Sequence, residues 1–518
     1  MLSVVEGIAL SGAFFAQLVR WLRVLQREHY EPASLRLFFA RWSAPRAIGA
    51  TSLRDFGREV PTSSSAVLVV ALVITVALGF DDVGIAITIV YGLLCPWGLS
   101  VKGRTGPLHW TRRATTIGIV ASAASVAIGI SGVFESRPAL LAIAMVWVVP
   151  VTLDIVTRVL APFEERQAQK FVDTATKRLR RVDPRVVAIT GSYGKTSTKN
   201  HLADLLSGDA RVVASPRSYN NRAGLSRAIN ENLADGTQVF IAEMGTYGSG
   251  EIAALCSWCT PEISVVTAIG PVHLERMKSL DVIESAKFEI TNLASTVVLN
   301  VDDERLARWV GRLRDEGKRV LTASRDSAAD ARVTPVGDTW RIEIDGEEVG
   351  EAPVVAGVEA SNLACAIAAG VALGRTPKEL VAGCSNVRAV DNRLNVATAP
   401  SGVVVIDDTF NANPASATRA LSALAALNLS GRRVVVTPGM VELGSEQHRE
   451  NSVLAQSVFA MDAELVTVAR TNLKALSEGY RGKTRRFNNR NEAVAWVRSS
   501  LVAGDGVLYL NDLPDHYP

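Results

Sequence analysis

The chain has 518 residues, of which 48% are hydrophobic, and a formal net charge of +3 at pH 7. This length exceeds one ordinary domain, and the nearly balanced charge argues against a nucleic-acid-binding protein. Its five cysteines lack the paired spacing of a disulfide framework. The apolar residues are concentrated in the first third of the chain, which predicts an N-terminal membrane region followed by α/β domains.

Four apolar runs in the first third resemble membrane-spanning helices. They occupy residues 66–80, 83–101, 115–134 and 139–160. Each is close to the about 20 residues that cross a bilayer core. A weaker fifth run, residues 2–19, contains Glu6. We therefore predict four or five transmembrane helices within residues 1–165, rather than the buried helices of a large soluble domain.

The charges between these runs predict their orientation. Eight arginines lie between Arg20 and Arg58, and a second basic segment contains Lys102 and Arg112. The positive-inside rule places both segments in the cytoplasm, together with everything after about residue 162. The expected location is therefore the cell membrane, with multiple spans. The arginine-rich segment either only orients the spans and contacts anionic lipid, or also holds a pyrophosphate headgroup.

Two sets of short β-branched runs follow, each alternating with helical patterns. In residues 166–386 the runs VVAIT, RVVAS, VFIAEM, SVVTAIG, TVVLN and RVLTAS predict a parallel α/β sheet. A hairpin-like stretch at residues 332–355 and an alanine-rich helix at residues 361–373 come next. The runs GVVVIDD, RRVVVTPG, ELVTVA and GVLYL then predict a separate, Rossmann-like α/β domain in residues 387–518.

A glycine loop follows the first of these predicted strands, in VVAITGSYGKTSTKN. Gly191 and Gly194 permit close approach of the backbone to phosphates. Lys195 would reach the outer phosphates, and the Thr196 hydroxyl would ligate Mg²⁺. Ile189 stands where the general phosphate-loop pattern has its first glycine, so this loop is a shortened form. Its place between a strand and a helix predicts a central ATPase domain.

Several ordered segments resemble the Mur ligase family. The shortened loop resembles the family's T-G-x-x-G-K-[ST]-[ST], and further segments match in order and spacing. They are SYNNRAGL at 218–225, IAEMGTYGSGEI at 241–252 and IGPVHLERMKSLDVIESAKFEI at 269–290. In the last domain, IDDTFNANPAS at 406–416 and GMVELG at 439–444 are similar to the branch that adds D-alanyl-D-alanine. The resemblance covers about residues 184–518.

The resemblance implies an ATP site with two magnesium ions. The implied nucleotide contacts are Gly191, Ser192, Tyr193, Gly194, Lys195, Thr196, Ser197, Asn362, Arg393 and Asp408. The implied magnesium-contacting residues are Thr196, Glu243, His273 and Lys287. Lys287 would be carbamylated, which turns a cation into an anionic oxygen ligand. Lys195, His273 and Lys287 are the implied catalytic residues.

The residues alone leave simpler interpretations open. Lys287 could form a salt bridge on its helix with Glu284 or Glu289. His273 could be an ordinary loop histidine, since magnesium prefers oxygen. Glu243 could be an ordinary acid at the end of a strand.

Two further features are less specific. Cys256 and Cys259 form one C-x-x-C, which we interpret as a buried thiol pair rather than a zinc site. The segment around Asn362 departs from the family's G-x-H-N-x-x-N, because Val358 and Glu359 replace the histidine and the first asparagine. The adenine contacts are therefore less clearly indicated than the phosphate contacts.

These features predict an ATP-dependent ligase. It would join an amino acid or a dipeptide such as D-Ala-D-Ala to a peptidoglycan-precursor carboxylate through an acyl phosphate. The membrane spans stand where the family has a UDP-binding domain, so the acceptor is UDP-linked, lipid-linked or another carboxylate. A poly-γ-glutamate-synthase-like polymerase and a membrane transporter or sensor with an ATPase domain remain open. Phosphate release that depends on an amine would distinguish a ligase from an ATPase.

Overall fold

The computed structural model divides the chain into two compact units. Unit 1 comprises Met1–Arg166 and Leu513–Pro518, and unit 2 comprises Gln167–Asp512. The residues that the structure describes are 4–31, 35, 36, 38, 74, 75, 78–96, 99–102, 107–133, 146–208, 211–216, 218–389, 395–409, 412–513 and 517.

Unit 1 is helical where it is described. Its helices are α1 (Val4–Arg27), α2 (Asp81–Leu94), α3 (Arg112–Val133) and the first part of α4 (Val149–Val182). Among the described residues, one helix, Val5–Arg27, is long and apolar enough to cross a membrane. With 14 residues, α2 rises only about 21 Å, less than a bilayer core of about 30 Å. The region with four or five spans stays a prediction, and the run at 66–80 lies mostly outside the described residues.

Helices α1 and α2 pack closely because small residues meet where they cross. A Cβ added at Gly92 would lie 2.6 Å from the Cβ of Ala13. Nearby, the rings of Tyr91 and Trp147 stack with their centroids 3.7 Å apart. The described part of unit 1 therefore has a packed core of its own.

Two arginines of α1 satisfy carbonyl groups at the end of α2 and just beyond it. The Arg20 guanidinium donates to the carbonyl of Gly92 at 2.7 Å, and Arg23 donates to that of Ser100 at 2.8 Å. Both arginine residues are buried. Sequence analysis placed Arg20 and Arg23 in a basic cytoplasmic segment; the structure shows that both lie within α1, which continues to Arg27, and the cytoplasmic side stays a prediction. The two guanidinium groups donate hydrogen bonds to carbonyls that would otherwise lack partners at the end of a helix.

Helix α4 joins two segments that the sequence pattern separated. It begins within the last apolar run, passes through Pro162 and includes the charged stretch that follows. A proline within a helix removes one backbone hydrogen bond without ending the helix here. The division between the two units lies inside α4, between Arg166 and Gln167.

In unit 2, the described residues form two sheets. The first has nine strands in the order β2-β3-β1-β4-β5-β6-β7-β8-β9. These strands are β1 (Arg185–Thr190), β2 (Val212–Ala214), β3 (Val239–Glu243), β4 (Ile263–Val266), β5 (Thr296–Asn300), β6 (Arg319–Ser324), β7 (Ala331–Val336), β8 (Thr339–Ile344) and β9 (Glu347–Pro353). Pairing is parallel from β2 through β7 and antiparallel among β7, β8 and β9. The parallel α/β sheet and the hairpin-like stretch are therefore confirmed.

Helices cover both faces of this sheet. They are α5 (Lys195–Leu205), α6 (Arg222–Asn232), α7 (Glu251–Cys256), α8 (Leu274–Met277), α9 (Leu280–Phe288), α10 (Glu304–Ala307), α11 (Trp309–Asp315), α12 (Ala360–Ala372) and α13 (Pro377–Gly383). The strands contribute buried apolar side chains to two clusters, one on each face. Helix α12, the predicted alanine-rich helix, is almost wholly buried. Its small side chains let it lie close to the sheet.

The register of the first sheet determines where the site lies. Ile189 in β1 pairs with Glu243, the last residue of β3. Parallel strands end at the same edge of a sheet, where open α/β folds bind ligands. Glu243 therefore lies beside the start of the glycine loop.

The second sheet has six strands among the described residues, in the order β10-β11-β15-β12-β13-β14. They are β10 (Asn395–Thr398), β11 (Val404–Asp408), β12 (Arg433–Thr437), β13 (Glu464–Val468), β14 (Arg485–Phe487) and β15 (Gly506–Leu510). Its helices are α14 (Pro414–Ala426), α15 (Gln447–Ala460), α16 (Leu473–Gly479) and α17 (Arg490–Ser500). All pairs are parallel except β10 with β11. The predicted second α/β set is confirmed, and the edge strands β10 and β14 are additional.

Candidate active site

The predicted phosphate-binding loop connects β1 to α5. Gly191 and Gly194 have φ angles of 153° and 82°, in the region that favours glycine. A Cβ at Gly191 would lie 2.0 Å from the hydroxyl oxygen of Thr267. At Gly194 it would lie 2.2 Å from the amide oxygen of Asn362. The loop therefore requires glycine at both positions.

Lys195 is the first residue of α5 and folds back over the loop. Its Nζ donates to the carbonyl of Gly191 at 2.7 Å and to that of Ser192 at 3.4 Å. The Ser192 hydroxyl donates to the Gly270 carbonyl at 3.0 Å and accepts the Gly270 N–H at 2.8 Å. An ammonium group beside the N-terminus of a helix suits a phosphate group.

Tyr193 forms a wall of the loop. Its main-chain carbonyl accepts a hydrogen bond from the Thr267 hydroxyl, and a Cβ at Gly270 would lie 2.4 Å from its ring. Burial, and then the Glu450 carboxylate, raise the pKa of the Tyr193 phenol. Among the described residues, this hydroxyl has no hydrogen-bond partner. Sequence analysis predicted a nucleotide contact for Tyr193 but not this tight packing.

Glu243 is buried at the end of β3 and accepts hydrogen bonds on both oxygens. Its Oε2 accepts from the Thr196 hydroxyl at 3.0 Å and from Lys199 Nζ at 3.2 Å. Its Oε1 accepts from the amide of Asn220 at 3.3 Å. The structure thus brings together Thr196 and Glu243, two of the predicted magnesium ligands, and adds Lys199.

The charges around Glu243 favour its ionised form. Burial raises the pKa of the Glu243 carboxyl, but the Lys199 and Lys195 ammonium groups oppose burial, as do hydrogen bonds from Lys199 and Thr196. The net effect is a pKa below the ordinary value. Glu243 therefore presents an anionic carboxylate at the end of β3, beside the start of the loop.

This oxygen set fits magnesium. Glu243 contributes a carboxylate and Thr196 a hydroxyl, and Mg²⁺ is commonly held by one or two carboxylates together with substrate phosphates. In the part of the chain that the structure describes, no group of three or more His, Cys, Asp or Glu side chains could hold a metal by itself. A magnesium ion held by Glu243 and Thr196 would take its other ligands from nucleotide phosphates or water.

Lys287 lies in α9 with its side chain buried. Burial, and then the nearby positive charge of Lys195, lower its pKa well below the ordinary value. No hydrogen bond or ion pair of the Lys287 side chain is present among the described residues, although its main-chain carbonyl accepts the N–H of Glu289. A lowered pKa favours the neutral amine, which is the form that reacts with carbon dioxide to give a carbamate.

The simpler interpretation of Lys287, a salt bridge on its helix, is wrong. Glu284 instead pairs with Arg305 at 2.7 Å and accepts from the indole of Trp309. Glu289 accepts the main-chain N–H of Gly250 at the start of α7. Both carboxylates therefore have other partners.

His273 connects segments associated with the two sheets. Its Nδ1 lies 2.5 Å from the Glu442 carboxylate, and its ring packs edge-on to Tyr247. Close by, Gly444 has a φ of 56° and lies against the main chain of Glu275. The predicted GMVELG segment therefore contacts the IGPVHLERM segment, and His273 has an acidic partner.

Buried amides fix the loop that carries Glu442. Asn451 accepts the main-chain N–H of Met440 at 2.7 Å and donates to its carbonyl at 2.9 Å. Asn472 donates to the carbonyl of Pro438 at 3.0 Å, and Asn511 donates to that of Gly439 at 2.6 Å. This network holds the loop after β12 in one conformation.

Four further residues were predicted to contact the nucleotide. Asn362 lies near the beginning of α12 against Gly194, and its amide oxygen accepts from Thr198 at 3.5 Å. Asp408 is buried at the end of β11. Arg393 lies outside the described residues, and Ser197 is buried in α5. Nucleotide contacts by these four residues stay predictions.

Cys256 and Cys259 form a buried pair of free thiols, as predicted. Cys256 Sγ lies 3.7 Å from the sulfur of Met244. Burial raises the pKa of Cys256 to about 12, with a smaller contribution from Glu289. Neither thiol is poised for chemistry at neutral pH.

Sequence reasoning missed Lys199 and Glu442. The signal for Lys199 was its spacing of four residues from Lys195, which places both on one helix face. Glu442 lies in the GMVELG segment, but no sequence pattern pairs it with a histidine 169 residues away.

Two family descriptions match the chain. The Mur ligase middle domain matches residues 189–370, and the Mur ligase glutamate ligase domain matches residues 392–510. Together they cover more than half of the chain. Every residue of the phosphate-binding loop lies within the first match.

The chain is also similar to curated UDP-N-acetylmuramoyl-tripeptide--D-alanyl-D-alanine ligases. The Mycobacterium tuberculosis protein is 31% identical over 312 residues, which are 57% of this chain and 60% of that protein. The Bacillus subtilis protein is 29% identical over 268 residues, 51% of this chain and 58% of that protein. The chain thus matches less than two thirds of the length of these relatives.

Solved structures share the fold. MurF from Acinetobacter baumannii has a TM-score of 0.59 and 23% identity, over 67% of this chain and 77% of that chain. MurF ligase from Thermotoga maritima, in complex with ADP, has a TM-score of 0.58 and 23% identity, over 67% and 80%.

Proposed function

Because the chain belongs to the Mur ligase family, we propose that it is an ATP-dependent, ADP-forming amide-bond ligase. The proposed reaction joins D-alanyl-D-alanine to the terminal carboxylate of a muramoyl-tripeptide precursor. Curated relatives named for that reaction support the choice of substrates. The proposal covers residues 166–386 as the ATP-binding domain and 387–518 as the C-terminal domain.

The observation that carries the proposal is the state of Lys287 beside the phosphate-binding loop. Its side chain is buried and has no ion pair within the part of the chain that the structure describes, and the charge of Lys195 is close enough to lower its pKa. An ordinary ATPase has no evident use for such a lysine, whereas a carbamate there would supply an anionic oxygen. This feature favours a Mur-type ligase over a transporter or sensor with an ATPase domain.

The residues support a two-step reaction. The acceptor carboxylate attacks the γ-phosphate of ATP, which gives an acyl phosphate and ADP. Lys195 neutralises charge on the transferred phosphoryl group, and the main-chain N–H groups after Gly191 hold the phosphates. The amine then attacks the acyl carbon and loses a proton, and phosphate leaves.

Magnesium would be held by Glu243 and Thr196 at one position, and by carbamylated Lys287 and His273 at a second. When bound, the ions neutralise phosphate charge and orient the γ-phosphate. Glu442 holds the His273 ring, and Asn362 with Asp408 and Arg393 would contact the nucleotide.

The test is substrate-dependent release of ADP and phosphate by the full chain in detergent. We expect release only with ATP, UDP-linked tripeptide and D-Ala-D-Ala together, and a product mass that matches the new amide. Lys195→Ala serves as the inactive control. Equal ATP hydrolysis without the amine, or no amide product, would contradict the proposal.

We also propose that residues 1–165 form a multi-span region in the cell membrane, with unit 2 on the cytoplasmic side. An exposed apolar stripe on α4 supports this. Val151, Ile155, Val159 and Phe163 are 46%, 50%, 71% and 55% exposed. A spacing of four places them on one helix face, which suits contact with lipid. Release of the full chain from membranes by carbonate washing would contradict this proposal.

A lipid-linked acceptor is the second candidate. The observation that favours it is the helical unit 1, which precedes the matched domains. Arg20 and Arg23 are engaged by carbonyls, so a pyrophosphate contact would fall to later arginines, of which Arg41 to Arg58 lie outside the described residues. The full chain in nanodiscs should then prefer a lipid-linked tripeptide to the UDP-linked form. Equal use of the two acceptors would rule this out.

A further inference from the structure

The side chain of Lys199 lies at the centre of the proposed metal site. It projects from α5 one turn after Lys195 and is only 2% exposed. Its Nζ donates to Glu243 Oε2 at 3.2 Å, the same oxygen that accepts from the Thr196 hydroxyl at 3.0 Å. A lysine therefore already engages the carboxylate oxygen that a metal ion would use.

This arrangement differs from that of the neighbouring lysines. Lys195 donates hydrogen bonds to carbonyl groups of the loop. The pKa of Lys287 is lowered by burial and, to a smaller extent, by the positive charge of Lys195. Lys199 is bonded to the carboxylate in a dry environment, where like charges interact strongly. A free divalent cation approaching Glu243 would meet its ammonium group at close range.

Resting on the metal-ligand role proposed above for Glu243 and Thr196, we propose that Lys199 is a positioning residue that acts as the resident counter-ion of Glu243. It fixes the carboxylate against the Thr196 hydroxyl, and it weakens binding of a free divalent cation. ATP brings several negative charges that offset the ammonium group. The metal therefore enters with the nucleotide and not before it.

The test measures Mn²⁺ binding to the full chain in detergent, by electron paramagnetic resonance, without nucleotide. Lys199→Met keeps the length of the side chain and removes its charge. We expect this variant to bind Mn²⁺ at least about tenfold more tightly than the wild type, because a like charge has been removed. Lys199→Arg keeps the charge and should remain within about twofold of the wild type.

A second readout separates this role from a merely structural one. If Lys199 only supported the fold, Lys199→Met would lower the melting temperature equally with and without Mn²⁺. We expect a large loss without Mn²⁺ and recovery when Mn²⁺ is saturating, since the metal replaces the missing counter-ion. If Lys199→Met does not fold, Lys199→Gln is measured instead, because it still donates to Glu243 without a charge.

Equal nucleotide-free Mn²⁺ affinity in the wild type and the neutral variant would overturn the inference. Glu243→Gln, measured with a non-hydrolysable ATP analogue, tests the underlying metal site. If Glu243→Gln weakens Mn²⁺ binding while Lys199→Met matches the wild type, only the role of Lys199 is wrong. If Glu243→Gln leaves binding unchanged, the proposed metal site fails and the inference fails with it.

Discussion

The imidazole of His273 and the carboxylate of Glu442 lie 2.5 Å apart, from Nδ1 to Oε2. His273 follows β4 of the first sheet, and Glu442 follows β12 of the second. His273 has a φ of 55° and Glu442 one of 65°, so both backbones adopt the left-handed conformation that non-glycine residues rarely use. The surrounding structure must stabilise both turns, which makes this contact a specific link within unit 2.

The first prediction concerns this link. Glu442→Ala should increase hydrogen exchange of the main-chain amides in Leu274–Met277, because α8 loses its partner. Because the pair is partly exposed, we expect the free energy of local opening to fall by about 1 kcal/mol, which makes exchange about fivefold faster. Glu446→Ala is the control, since Glu446 pairs with the exposed Arg449. Unchanged exchange in α8 would mean that the contact does not hold the two segments together.

The second prediction concerns Lys195. Lys195→Ala should lower ATP turnover by about 100-fold or more, because it deletes a charge positioned for the transition state. Lys278→Ala is the matched control, since that lysine is bonded to the carbonyl of Glu275. The assignment fails if steady-state ADP release by Lys195→Ala equals that of the control.

The third prediction concerns Lys287. Lys287→Ala should lose activity and regain part of it in acetate, because a small carboxylate can take the place of the carbamate in the space left by the side chain. The rescue should rise with acetate concentration and saturate, as measured by ADP release. Lys195→Ala should not be rescued. Loss that no small carboxylate reverses, in a folded variant, would argue against carbamylation.

The sequence predicted the main strands because their residues are distinctive. Runs such as VVAIT and TVVLN are β-branched and buried, and they became β1 and β5. The edge strands β10 and β14 were missed because NVAT and RRF are short and largely exposed, so they lack an apolar pattern.

The residues of the candidate site that lie in a local sequence motif could be predicted. Glu243 ends β3 and Thr196 lies at the start of α5, just after the loop that follows β1, and pairing of Ile189 with Glu243 brings the two together. The partner of Lys199 is Glu243, which lies 44 residues away in sequence. Their contact depends on the same register and was therefore not predicted. The helical position of Arg20 was not predicted, because a count of arginines carries no information about a helix that continues through them.

The last prediction concerns His201, which lies in α5 with Lys195 and Lys199. Its side chain is buried, and neither ring nitrogen has a hydrogen-bond partner among the described residues. Burial lowers the pKa of His201 from 6.5 to about 4. No charged group contributes to this shift, so burial of the ring accounts for it.

This shift makes stability depend on pH with a definite sign. Below pH about 6.5 the unfolded chain binds a proton at His201, whereas the folded chain stays neutral down to pH about 4. The contribution of the neutral ring to the free energy of unfolding is therefore fully present above pH 6.5 and is lost progressively as pH falls towards 4. The loss should reach about 3 kcal/mol, from 1.36 kcal/mol per pKa unit.

His201→Leu should abolish this part of the pH dependence, because leucine fills the site without a titrating group. The melting temperature of the full chain in detergent, followed by intrinsic fluorescence, should favour the variant more at pH 5 than at pH 8. Other groups titrate equally in both proteins, so the difference between them isolates His201. His448→Leu is the control, since that side chain is exposed beside Glu478. A difference between His201→Leu and the wild type that is the same at both pH values would show that His201 is not a buried neutral group.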